Sequence, residues 1–179
     1  LSDISGNAEI EYAITYHNEN SNNTIDKIDK DCLQYEDSTC ITNDNDNIHD
    51  YGLVTLHRPS NVDDIDQLQT ILHDLSKISN HIKLYFSVHP RTKNQIEKHK
   101  IIVDKNIKIF DSLSYLDFLK LMKNAKVIFT DSGGIQEEST VLKIPCYTLR
   151  YNTERPITIL QGTNILTKPE KGNIYRKFI

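Results

Sequence analysis

The sequence predicts an α/β fold, a Rossmann-like, doubly wound parallel sheet, on two observations. From Tyr51 onward, short apolar runs rich in β-branched and aromatic residues alternate with stretches of helical period. Those runs are continuously apolar, as strands covered on both faces are, and lack the in-out alternation of a half-exposed sheet.

The elements follow in order. Candidate strands are Gly52–Leu56, Lys83–Val88, Ile107–Phe110, Val127–Thr130 and Pro145–Leu149. Between the first two, Asp63–Ile78 places Ile65, Leu68, Ile71, Leu72, Leu75 and Ile78 at helical spacings. Asn61 is its expected cap, and Asp63 and Asp64 in the first turn suit the helix dipole. Ser114–Asn124 opens as Ser-x-x-Asp, a capping-box-like start, and presents Tyr115, Phe118, Leu119 and Met122 on one side. Strand–helix alternation implies a parallel sheet, whose ligands bind beyond the carboxyl ends of the strands. Before Tyr51 the character differs. Ala8–Tyr16 is amphipathic, and Tyr16–Asp50 is rich in Asn and Asp. Residues 1–50 therefore read as a linker with a disordered Asn/Asp-rich insertion, and 51–179 as the folded domain. Gly172–Ile179 reads as the start of a final helix cut short.

Composition narrows the function. A chain of 179 residues is one domain's worth, and a net charge of −4 without a basic stripe argues against nucleic acid. No apolar run is long enough to span a membrane, and Leu1–Gly6 lacks the layout of a signal peptide. Cys32, Cys40 and Cys146 show neither CxxC nor Cys/His ligand spacing. They read as free thiols of a reducing, cytoplasmic compartment, and no metal or cofactor is expected.

The candidate residues lie where strands end. The first strand runs into His57-Arg58-Pro59, and the second into His89-Pro90-Arg91-Thr92, where Thr92 is a candidate cap. Arginine neutralises phosphate and histidine moves protons near neutral pH, but both loops also fit surface helix starts. The fourth strand runs into Asp131-Ser132-Gly133-Gly134. Two glycines permit close approach and positive φ, while the next helix offers unpaired N–H groups to an anion such as diphosphate. Asp131, if turned inward, would repel that anion, so it is expected to orient the loop or cap the helix. Glu138, one turn on, can accept two hydrogen bonds from a ribose diol. The same residues also fit a Gly-rich turn with dipole-matching acids. The fifth strand runs into Arg150-Tyr151-Asn152-Thr153-Glu154-Arg155-Pro156, where Arg150 or Arg155 can close on phosphate and Thr153 is a candidate cap.

Taken together, Thr55–Asn61, His89–Thr92, Tyr115–Phe118, Asp131–Glu138, Thr153–Pro156 and Gly162–Asn164 resemble the C-terminal half of UDP-N-acetylglucosamine 2-epimerase of the non-hydrolysing type, over about residues 51–166. The resemblance implies one half of a GT-B-type enzyme with its active site between two Rossmann-like domains. It implies elimination of UDP from UDP-GlcNAc and re-addition with C2 inverted, giving UDP-ManNAc. By the same resemblance Ser132, Gly133 and Gly134 hold the diphosphate, Glu138 binds ribose, and Arg58, Arg155 and His57 contact UDP or sugar. Phe118 lies by the uracil, though its spacing equally fits helix-core packing. His57 is the candidate acid or stabiliser of the leaving phosphate. The carboxylates that handle the C2 proton belong to the family's N-terminal domain, so an N-terminal half is the expected partner; a homodimer stays open. A non-catalytic UDP-sugar-binding module and the C-terminal half of a GT-B glycosyltransferase are the alternatives.

Overall fold

The computed structural model describes residues 50–179. The expected linker, the Ala8–Tyr16 helix, the Asn/Asp-rich insertion, Cys32 and Cys40 lie outside the described residues. From Tyr51 the order is β1 (Tyr51–Thr55), α1 (Pro59–Val62), α2 (Ile65–Ile78), β2 (Lys83–Val88), α3 (Pro90–Lys98), β3 (Ile107–Asp111), α4 (Tyr115–Asn124), β4 (Val127–Thr130), α5 (Gly133–Val141), β5 (Cys146–Leu149), α6 (Pro156–Leu160), β6 (Asn164–Thr167) and α7 (Asn173–Phe178). The strands form one six-stranded sheet in the order β3-β2-β1-β4-β5-β6. Every pairing is parallel, with Gly52 opposite Leu84 on one side and Val127 on the other. This is the α/β class expected from the sequence.

The sheet has a core on each face, because successive strand residues point opposite ways. Val54, Phe86, Phe129, Tyr147 and Leu149 pack with Leu68, Ile71, Leu75 and Ile78 of α2 and Ile174 of α7. Tyr51, Leu53, Phe110, Ile128 and Cys146 pack with Leu119 and Met122 of α4. Burial pushes the Cys146 thiol up to about 12, which leaves it an inert core residue. Gly52 lets the neighbouring strand's Leu84 pack close: a Cβ there would lie 2.7 Å from Leu84 Cδ2 and push that side chain aside.

The starts of α2 and α3 depart from expectation. Asp64, not Asn61, caps α2, accepting from Gln67 N at 3.2 Å, and the first-turn acid is Asp66. Asn61 lies in the short α1 and is buried, because its amide has a better use described below. His89, not Thr92, caps α3: its Nδ1 accepts from Arg91 N at 3.2 Å, and Pro90 opens the helix. Thr92 instead donates to the Leu56 carbonyl at 2.5 Å and fixes α3 against the end of β1. Ser114 caps α4 as expected, accepting from Asp117 N at 3.3 Å. The strand β6, expected as a loop at Gly162–Asn164, escapes a pattern search because it is four residues long with polar ends.

The last helix is held by a buried acid. Asp74 of α2 has no exposed surface and accepts from Gly172 N at 3.0 Å, Ile174 N at 3.1 Å and Tyr175 N at 3.4 Å. These are orphan amides at a helix start, where a carboxylate also meets the positive end of the dipole. Gly172 reaches the geometry at φ 76, a left-handed conformation that favours glycine.

Replacing Asp74 with Ala is expected to cost roughly 2 kcal/mol, since buried donors lose their acceptor; urea unfolding gives the stability loss. Hydrogen exchange checks the cause: the Ile174 and Tyr175 amides should exchange faster than the sheet amides. Gly162→Ala is expected to cost about 1–3 kcal/mol by overpacking. Its new Cβ would press on the Thr158 carbonyl and lie 2.6 Å from Thr140 Oγ1. Unchanged thermal stability would show that the α5–α6 contact yields more readily than it appears here.

Candidate functional site

The strand order fixes where a ligand can lie. The chain builds β2 and β3 on one side of β1, then crosses back so that β4 pairs with its other side. The loops leaving β1 and β4 therefore diverge to opposite faces and open a crevice at the carboxyl edge. They carry His57–Asn61 and Asp131–Gly134.

Asp131 joins the two loops. It is fully buried, yet the loop after β1 turns its donors toward it. His57 N lies 3.1 Å from Oδ1 and 3.2 Å from Oδ2, Arg58 N donates to Oδ2 at 3.0 Å, and Asn61 Nδ2 donates to Oδ2 at 3.1 Å. The His57 imidazole adds Nδ1 at 3.0 Å from Oδ1. Asn61 also donates to the Leu149 carbonyl at 2.8 Å, so the end of β5 is tied in. The sequence expectation that Asp131 orients the loop holds; it does so by drawing the donors of the loop after β1 onto its carboxylate.

Ser132 forms the N-cap position of α5 and makes no side-chain cap; its own amide donates to Thr130 Oγ1 at 3.0 Å. Gly133 and Gly134 are helical and not at positive φ, which corrects one half of the sequence argument. A Cβ on Gly133 would meet Arg58 Nη2 at 3.9 Å, and one on Gly134 would meet Glu138 Oε1 at 3.9 Å. Those are ordinary contacts, so the fold itself does not demand glycine at either position. What the glycines leave bare is the start of the helix, where backbone N–H groups and the dipole attract an anion.

Charged groups ring this bare turn. Glu138 stands beside Gly134 and its carboxyl is raised above the usual range, first by burial and then by Glu137, while a hydrogen bond from Tyr115 opposes the shift. Tyr115 thereby brings the start of α4 to the crevice; Phe118, on the same helix, is half-buried against the core of that face. Arg155 Nε pairs with Glu137 Oε1 at 3.0 Å. Glu154 bridges Arg150 Nη2 at 2.9 Å and Arg58 Nη2 at 3.5 Å. The Arg150 hydrogen bond and the two positive charges hold Glu154 below the usual carboxylate range. The other terminal nitrogen of Arg150, Nη1, is buried and makes no hydrogen bond among the described residues.

A polar network supports the turn from behind. Gln136 donates through Nε2 to the Ser132 carbonyl at 3.0 Å and accepts from Thr153 Oγ1 at 2.7 Å. Thr153 Oγ1 in turn accepts from Arg155 N at 2.9 Å and joins that loop to α5, but Arg155, not Thr153, is the N-cap of α6, which has no side-chain cap. The buried Asn164 donates to the Gln136 carbonyl at 2.9 Å and accepts from Thr148 at 2.9 Å. Three separated stretches, Ser132–Gln136, Thr153–Arg155 and Asn164, thus act as one support.

His57, Arg58, Ser132, Gly133, Gly134 and Glu138 come together at the crevice, and Arg155 stands at its rim. Arg91 does not join them: it pairs with Asp63 through Nε at 2.8 Å and Nη2 at 2.5 Å, which holds the Asp63 carboxyl low. Sequence reasoning missed Tyr115 as a partner of Glu138, Gln136 as the support, and Asn61 as a buried donor. No pattern marks these, because each has a partner distant in sequence.

The model of the UDP-N-acetylglucosamine 2-epimerase family matches residues 17–179. The UDP-N-acetylglucosamine 2-epimerase of Methanocaldococcus jannaschii is 46% identical over 136 residues, covering 71% of this chain and 36% of the relative. That of Methanococcus maripaludis is 42% identical over 130 residues, with 69% and 36% covered. The crystal structure of the M. jannaschii enzyme in complex with UDP-GlcNAc and UDP matches with a TM-score of 0.76 at 35% identity, covering 97% of this chain and 44% of that one. The chain spans little more than a third of the length of these curated relatives. With the ordered strand-end motifs brought to one crevice and this degree of identity, the chain belongs to the UDP-N-acetylglucosamine 2-epimerase family.

Proposed function

We propose that this chain is the nucleotide-binding half of a UDP-N-acetylglucosamine 2-epimerase. The observation that carries the reading is the uncapped, glycine-opened start of α5 facing Arg58 across the switch-point crevice. In the reaction, the C2 proton is removed and the C1–O bond breaks with UDP as leaving group, giving 2-acetamidoglucal. UDP then adds back to C1 while a proton returns to the other face of C2, giving UDP-ManNAc.

Each residue has a role in this reading. The Ser132 hydroxyl and the amides of Gly133 and Gly134 hold the diphosphate, with Arg58 and Arg155 neutralising charge that grows as the C1–O bond breaks. Glu138 accepts from the ribose diol, and Phe118 borders the uracil. His57 donates a proton or hydrogen bond to the departing phosphate. The carboxylates that exchange the C2 proton come from an N-terminal half, so residues 51–179 alone bind UDP weakly and turn over little. A homodimer of the assembled enzyme and a cytoplasmic location, which the cysteine usage favours, belong to the same reading.

Calorimetry with UDP-GlcNAc tests it, and pH makes the test specific. The sugar nucleotide is the better probe, because the terminal phosphate of UDP itself gains a proton near pH 6. The fold raises the Glu138 carboxyl, so it disfavours the charged form and loses stability as pH rises from the unfolded value through the raised one. Diol hydrogen bonds favour the same charged form. Affinity should therefore rise with pH across that window. Glu138→Gln should weaken binding about tenfold at pH 7.5, as loss of a charge-assisted hydrogen bond does, and should flatten that part of the pH dependence. His57 and His89 are present in both proteins, so the difference isolates Glu138. Wild-type protein that takes up no UDP-GlcNAc contradicts the proposal.

A further inference from the structure

The contacts of Asp131 divide unequally between its two oxygens. Oδ2 accepts from Arg58 N at 3.0 Å and Asn61 Nδ2 at 3.1 Å, and shares His57 N at 3.2 Å. Oδ1 shares His57 N at 3.1 Å and faces the imidazole Nδ1 at 3.0 Å. An ionised carboxylate is acceptor-only, so the nitrogen that faces it must carry a hydrogen. We propose that Asp131 is a positioning residue for His57: the buried carboxylate holds the ring proton on Nδ1 and leaves Nε2, across the ring, to meet the ligand. The inference rests on reading His57 as the group that serves the leaving phosphate.

Three features make this more than a loop staple. The backbone amides of His57 and Arg58 fix the Cα position, but they put no constraint on the ring. The ring's own contact with Oδ1 does, and it joins a fully buried carboxylate to a half-exposed imidazole whose side chain keeps 37% of its surface. His89 also lies against the ring, tilted 42° at 5.7 Å between centroids, a contact that specifies neither tautomer. A free histidine side chain prefers its proton on Nε2, so the carboxylate must reverse the ordinary preference. With Nδ1 committed, one ring nitrogen alone exchanges protons with the ligand, and its direction is set before the ligand arrives.

The load on the two oxygens predicts what Asp131→Asn does. The amide oxygen takes the Oδ2 place, where the donors converge, and the NH2 group falls at the Oδ1 place against Nδ1. A donor there requires Nδ1 to become the acceptor, so the proton moves to Nε2. Nitrogen-15 NMR of the neutral ring in the whole chain reads this directly, with His57→Gln used to assign the signal. Wild type should show protonated Nδ1 and bare Nε2, favoured about 10-fold, because a carboxylate oxygen 3.0 Å away attracts a ring N–H and repels a bare lone pair. Asp131→Asn should show the reverse. A bare Nδ1 in wild type overturns the proposal, and so does a folded Asp131→Asn with the wild-type tautomer, since a staple alone would lower stability and leave the ring unchanged. If the variant fails to fold, the wild-type spectrum decides. UDP-GlcNAc calorimetry on the same wild-type sample separates the two ideas: the expected tautomer without binding overturns the functional reading and leaves the positioning intact.

Discussion

The structure around the crevice depends on one fully buried carboxylate. An isolated ionised acid in a protein interior costs several kcal/mol, and the cost is offset only when its lone pairs are filled. Among the described residues Asp131 pairs with no Lys or Arg; two backbone amides, the Asn61 amide and the His57 ring face it instead. Because these donors belong to the loop after β1, that loop cannot move without exposing either the acid or its own amides. The acid thus converts two diverging loops into one rigid edge. An Ala would leave the His57 and Arg58 amides without this acceptor.

Rigidity behind and openness in front are divided among different residues. Gln136, Thr153 and Asn164 use nearly all their polar atoms on one another and on Ser132 and Arg155, so the turn is braced by side chains that no ligand needs to touch. Gly133 and Gly134 contribute the opposite, an absence of side chain where none is sterically required. The charged rim is paired internally: Glu154 with Arg150 and Arg58, Glu137 with Arg155. Such half-exposed pairs are worth little in stability, so a diphosphate can compete for these arginines at small cost. Their value lies in holding flexible guanidinium groups near the place where charge arrives.

The fold was legible wherever local pattern and tertiary role coincide. Five strands and the helices α2 and α4 have apolar periodicity that burial then uses directly, as at Leu68, Ile71 and Leu75. Caps were legible when local, as at Ser114, and misread when a distant acceptor outcompeted the helix end. Asn61 left its expected cap for Asp131, and Thr92 left its own for the Leu56 carbonyl. The strand β6 was illegible because an edge strand needs few apolar residues. At the crevice, the residue types at the strand ends were enough to single out His57, Arg58 and the Ser132–Gly134 turn as neighbours. Tyr115, Gln136 and the division of labour at Asp131 were not, since each depends on which loops the sheet order makes neighbours.

The central claim is that the diphosphate of a uridine nucleotide lies on the start of α5 at the switch point between β1 and β4. Titration of the isotope-labelled chain with UDP, followed by amide proton–nitrogen correlation spectra, tests it most directly. The account predicts the largest shifts at Ser132, Gly133 and Gly134, with smaller ones at Arg58 and Glu138, and none along β3 or α7. Shifts confined to other surfaces, or saturation without movement of the Gly133 and Gly134 amides, would contradict it.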